Sequence, residues 1–222
     1  MTVPPSLGFD RSHRHLTADW IKANIDAAVA AVVLEFAAFG ARQLLGMPDA
    51  NAGLLAKALL VVVEAVTSAA ALLIYAIRTG TVLRQKLPAF PPLTWNALHA
   101  LIGFAVGTYV AYNEMDGAMR SETTETSMVA SIAIGGALAG ALIGAALGSL
   151  QALVLRKAVR DVTGWIKWSA LAGMTFAAYA LILYIGFDQT FATEVMTQLV
   201  SFAVAVVSGI IMLPALHGLT PR

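Results

Sequence analysis

Four ionisable side chains sit where few are tolerated: Glu35, Arg42, Lys57 and Glu64 interrupt the first two of a series of long apolar stretches. A charge at the centre of a membrane helix costs about 2.5–3.5 kcal/mol on insertion scales, so such residues rarely face lipid. Glu35 and Arg42 are seven positions apart, as are Lys57 and Glu64. Two helical turns bring each acid and base onto one face, but about 10 Å apart along the axis, too far for a direct salt bridge. Glu35 lies ten positions before Leu45 and Glu64 ten after Leu54. A symmetric turn then sets carboxylate against carboxylate near the midplane, and Arg42 level with Lys57 nearer the outer surface.

Two carboxylates at one depth in a low dielectric share a proton or hold a cation, because both cannot stay ionised and unscreened. Glu35 and Glu64 are therefore the candidate proton- or cation-binding residues, with Arg42 and Lys57 as charges at the entrance. A competing reading needs no transport. In it the carboxylates are protonated or bonded to hydroxyls such as Thr67 and Ser68, while Arg42 and Lys57 extend to the outer headgroups.

Other chemistry is sparsely represented. The chain has no cysteine, which excludes thiol catalysis, thiolate metal sites and disulfides. No phosphate-binding glycine loop, His-Glu-x-x-His or Gly-x-Ser-x-Gly occurs, and the loops are too short for an extramembrane catalytic domain, so an enzyme is not expected. His13 and His15 flank Arg14 in a segment read as a solvated tail, without a third ligand at metal-binding spacing. His99, one turn into the third apolar stretch, can titrate near neutrality or hold an interfacial hydrogen bond. Gln151 and Gln198 read as interhelical hydrogen-bond donors. The acids from Glu114 to Glu125 lack the spacing of a calcium loop. No cofactor is expected, and the sequence does not say whether any metal binds.

The elements that position these groups follow from composition. Of 222 residues, 59% are hydrophobic and 12% charged, and mean hydropathy is +0.76. A soluble domain carries about twice that share of charge. A net charge of +1 with dispersed basic residues argues against nucleic acid as a partner. Long apolar runs rather than alternating strands fill the chain, and a helix needs about 20 such residues to cross a bilayer. Six spans are expected: 27–45, 54–77, 95–112, 128–155, 165–187 and 195–216. The fold class is thus all-α, a polytopic transmembrane domain over 25–222 preceded by a cytoplasmic segment over 1–24. That segment has no apolar core and is no cleavable signal peptide, leaving the first helix as an uncleaved signal.

Arg78, Arg84 and Lys86 lie in one loop and Arg156, Lys157 and Arg160 in another, whereas the loops across the membrane hold only Arg120. Positive loops stay cytoplasmic, so both termini are expected there, in a bacterial inner membrane. Trp20, Trp95, Trp165 and Trp168 fall at that boundary, where an indole suits the headgroup level.

Two patterns concern assembly. Gly136, Gly140, Gly144 and Gly148 recur every four residues, a glycine-zipper face for close helix packing, with Gly103 and Gly107 as a shorter counterpart. Trp20-Ile21-Lys22 recurs as Trp165-Ile166-Lys167, and Trp95-Asn96-Ala97-Leu98 resembles Trp168-Ser169-Ala170-Leu171. The Trp residues 20, 95 and 165 mark three starts of an outward helix, a polar turn and a returning helix. Duplication would give three hairpins around a pseudo-threefold axis; the plainer explanation is that every cytoplasmic helix end collects Trp and basic residues. Pro214 is expected to kink the last helix.

The reading that follows is a small multi-pass transporter or channel-like protein for a proton or small cation. The alternative is a non-catalytic scaffold or accessory subunit that packs through its glycine-lined helix. Expected partners are the lipid bilayer and either further copies of the chain or subunits of a membrane complex.

Overall fold

A computed structural model of the chain describes residues 8–45, 53–116, 126–178 and 191–222. The turn expected at 46–52, most of the acidic outer loop and the second half of the fifth span lie outside them. Among the described residues every element is helical: α1 (Gly8–Leu45), α2 (Leu54–Lys86), α3 (Pro92–Asp116), α4 (Thr126–Leu155), α5 (Thr163–Gly173), α6 (Phe191–Ile211) and α7 (Leu213–Gly218). Four stretches are long and apolar enough to cross a membrane: His15–Leu44, Leu54–Lys86, Ala130–Leu155 and Val195–Gly218. The other two expected spans do not reach that standard here. α3 carries Asn96 and His99 among its apolar residues, and the fifth span is described only in its first half.

Helix ends differ from those expected wherever polar residues are compatible with a helix. α1 begins at Gly8 and passes unbroken through residue 24, so His13 and His15 lie on a helix rather than in a loose tail. α2 continues nine residues beyond Ile77, carrying Arg78, Arg84 and Lys86 on its last turns. It stops because Leu87 precedes Pro88, a position that disfavours helical geometry, and Leu87 is extended at φ −123° and ψ 91°. At the far end Pro214 removes a backbone donor; α6 closes at Ile211, and α7 starts after Met212 with the proline in its first turn.

α1 packs on α2, α2 on α3, α4 on α5, and α6 returns to α1, while α3 and α4 touch only sparsely. Among the described residues the closest approaches join α3 to α2 and α5 to α4. A Cβ on Gly103 would strike the Ser68 carbonyl and one on Gly107 the Glu64 carbonyl, welding α3 to α2. Gly140 and Gly173 would each strike the other's carbonyl, Gly144 that of Ser169, and Gly148 meets the Ser169 side chain, welding α4 to α5. Gly136 is half-buried.

The large core residues collect at the basic end. Trp20, Trp95 and Trp165 are fully buried, with Leu83, Leu87, Leu155, Val159 and Leu216 packed around them. Trp165 meets Trp20 edge to face at 6.2 Å and Trp95 at 6.0 Å between ring centroids. The three repeat-marking indoles therefore meet in the protein interior, while Trp168 stays partly exposed. An indole serves a lipid boundary and an aromatic core equally well, so its type alone did not distinguish them.

Backbone and side-chain contacts seal this end. Val159 and Pro221 form an antiparallel bridge, with Arg160 N donating to Thr220 O and Arg222 N to Ala158 O, each at 3.1 Å. Lys86 Nζ donates to the carbonyls of Leu216 at 2.5 Å and His217 at 2.8 Å, capping the C-terminus of α7 with a positive charge. Asp161 accepts from Thr163 N at 2.8 Å ahead of α5, and that backbone bond holds its carboxyl below the usual range.

Candidate functional site

The helix pair α1–α2 carries the charges singled out by the sequence, and it joins them in a different combination. Arg42 Nη1 donates to Glu64 Oε1 in an ion pair, with Arg42 8% and Glu64 3% exposed. Unlike thus meets unlike. Levels counted from a symmetric turn set Glu64 against Glu35, whereas the extended guanidinium bridges the offset and takes Glu64 as its partner. Arg42 is buried, with its guanidinium carbon 6.0 Å from the Phe39 ring centroid.

Local sequence explains the placement. The small Ala38, one turn before Arg42, and Ala65, beside Glu64, are buried and leave room for the pair between the helices. Behind it, Gly107 lies against the Glu64 backbone, so α3 fixes the carboxylate's helix from the other side. Glu35 and Lys57 are half-buried and take part in interactions of their own. The guanidinium occupies the carboxylate of Glu64 inside the protein. To accept a proton or a cation that carboxylate must exchange Arg42 for it.

A second polar constellation crosses the bundle near the aromatic core. His99 Nδ1 donates to Trp95 O at 2.8 Å, Gln151 Nε2 donates to His99 Nε2 at 2.9 Å, and Trp165 Nε1 donates to Gln151 Oε1 at 2.8 Å. Gln151 is the interhelical donor that its polar type in an apolar helix suggested. That His99 would be its acceptor could not be read from one chain, because 52 residues separate them. Trp20 Nε1 donates to Gly209 O at 2.8 Å, and Asn24 closes on Gly209 so tightly that a Cβ there would strike its side chain. Thus α1 is pinned to α6 just before the break at Met212. The Trp95 indole nitrogen and Asn96 Oδ1 are buried without a hydrogen-bond partner.

Among the described residues no three His, Asp or Glu side chains gather as a metal site would require. Compared with protein-family models, with curated proteins and with solved structures, the chain matches none. Over the described residues the fold and site define an all-helical arrangement with four helices able to cross a membrane and a buried acid–base pair between two of them.

Proposed function

We propose that the chain is a six-span protein of a bacterial cytoplasmic membrane, with both termini inside, that binds or passes a proton or small cation at Glu64. The observation that carries this reading is the Arg42–Glu64 pair, buried between two helices apolar enough to lie in lipid. Ionisable groups in such helices are rare and costly, and their usual use is in ion or proton pathways. In this reading Arg42 is the counter-charge that keeps Glu64 neutralised while the site is empty, and a cation displaces it. Glu35, two turns deeper along α1, is the next carboxylate on the route, and Lys57 lies toward the outer side.

Less supports an accessory subunit that packs through its glycine-lined helix, since α5 already covers Gly140, Gly144 and Gly148. The test is proton and monovalent-cation flux into proteoliposomes holding the purified chain. Flux in the native protein and its loss in both Glu64→Gln and Glu35→Gln are the expected results. Full flux in Glu64→Gln, or none in a correctly inserted native protein, overturns the proposal.

A further inference from the structure

We propose that His99, Gln151 and Trp165 form a pH-sensitive latch that holds the α2–α3 pair to the α4–α5 pair. Two glycine welds make two rigid helix pairs. Gly103 and Gly107 fix α3 to α2, and Gly140, Gly144, Gly148 and Gly173 fix α4 to α5. Between these rigid pairs, α3 and α4 touch only sparsely, and the hydrogen bond from Gln151 to His99 crosses that seam. The seam is therefore where the bundle can part, and this bond crosses it beside the Trp95–Trp165 ring contact.

The polarity of the chain of bonds is set at both ends by groups that cannot change roles. The Trp95 carbonyl only accepts, so His99 Nδ1 must carry a proton; the Trp165 indole only donates, so Gln151 must turn its oxygen toward it. The Gln151 amide is left facing His99 with its NH2 group, which needs an unprotonated Nε2. Protonation at Nε2 puts donor against donor. Turning the Gln151 amide over relieves that clash and creates another at Trp165. No orientation satisfies an imidazolium here, so protonation breaks the link across the seam at one end or the other.

Among the described residues the surroundings offer the added charge no counter-ion. α2 presents the Tyr75 ring at 5.6 Å from the imidazole centroid, α3 the Trp95 ring at 4.4 Å, α4 the Gln151 amide and α5 the Trp165 indole. Among the described residues no carboxylate contacts His99. Histidine is the side chain whose charge changes between about pH 5 and 8, and this one is 3% exposed. Trp95 and Trp165 belong to the aromatic cluster, so opening the latch loosens the basic end, whether or not the chain carries ions.

The experiment is tryptophan emission and acrylamide quenching of the full chain in detergent, titrated from pH 8 to 5, with no transport readout. The native protein is expected to show a reversible one-proton transition to red-shifted emission with at least twofold greater quenching. His99→Gln should abolish it, while His217→Gln, altering the histidine that meets Thr17, should retain it. A transition that survives His99→Gln, or that is absent from the native protein, overturns the proposal. Should His99→Gln fail to fold, nitrogen-15 histidine spectra of the native chain decide. One ring protonated at Nδ1 alone at pH 8, passing to the doubly protonated form together with the emission change, supports the latch; a ring protonated at Nε2 at pH 8 refutes it.

Discussion

Removing one member of the Arg42–Glu64 pair should cost far more than removing both. Glu64 is 3% exposed and Arg42 8%, so neither gains water when its partner is deleted. Arg42→Met keeps the length of the side chain and leaves a carboxylate unpaired among apolar helices. Breaking a buried pair in this way costs about 3–5 kcal/mol. The insertion cost of a lone charge, about 2.5–3.5 kcal/mol, points to the lower half of that range. We therefore expect about 3 kcal/mol for Arg42→Met, roughly two decades in the folded-to-unfolded ratio. Glu64→Leu, which strands the guanidinium instead, should cost a similar or smaller amount because the longer side chain can extend toward headgroups. The double variant Arg42→Met, Glu64→Leu replaces the pair by apolar groups of similar bulk and should lie within about 1 kcal/mol of native, since such replacement is often neutral. Equilibrium unfolding in mixed micelles with rising denaturing detergent measures all four corners of the cycle. Strict additivity of the two single effects would refute the reasoning, because the pair would then contribute no coupling.

Two further outcomes follow from the packing. Gly144→Ala and Gly107→Ala each place a methyl against a neighbouring backbone that cannot turn aside, and should lose about 1–3 kcal/mol in the same assay, whereas Gly135→Ala, with nothing within 4 Å of its Cβ, should lose none. Lys86→Met removes both donors to the end of α7 and should cost about 1–2 kcal/mol, read as faster amide exchange over 216–222 with α4 unaffected.

The class of fold was legible because long apolar runs admit few other structures in lipid, and Pro214 announced a break in the last helix. The start of α1 and the end of α2 were not, since a window of apolar residues reports the part of a helix that lipid can cover and is silent about polar turns that continue beyond it. Four-residue glycine spacing announces a flat face without naming the helix that lies on it. Gly173 and Ser169, which complete the α4–α5 contact, look ordinary in the sequence because a contact surface made by one glycine and one serine has no period. The ionisable residues were conspicuous, but their pairing depended on helix rotation and on the reach of an arginine. Counting positions from a turn fixes neither. His99 and Gln151 were each visible as a polar residue in an apolar helix; their relation needed the third dimension.

The two polar features divide the molecule in a way that neither shows alone. Gly107 fixes the backbone of Glu64 to α3, so Glu64 moves with the α2–α3 pair, while its partner Arg42 belongs to α1. α1 in turn is tied to α6 through the bond from Trp20 to Gly209 and the Asn24 contact. Any displacement of α2–α3 as a unit therefore strains, among other contacts, Arg42–Glu64 on one side and Gln151–His99 on the other. In the proposed function the first parts when a cation or proton replaces the guanidinium, and in the proposed latch the second parts when the imidazole takes a proton. If the pair moves as one body, either event lowers the cost of the other by removing one of its restraints. Acidification that opens the His99 link should then weaken the Arg42–Glu64 coupling measured by the double-variant cycle, and a coupling energy identical at pH 8 and pH 5 would show that the two seams are independent.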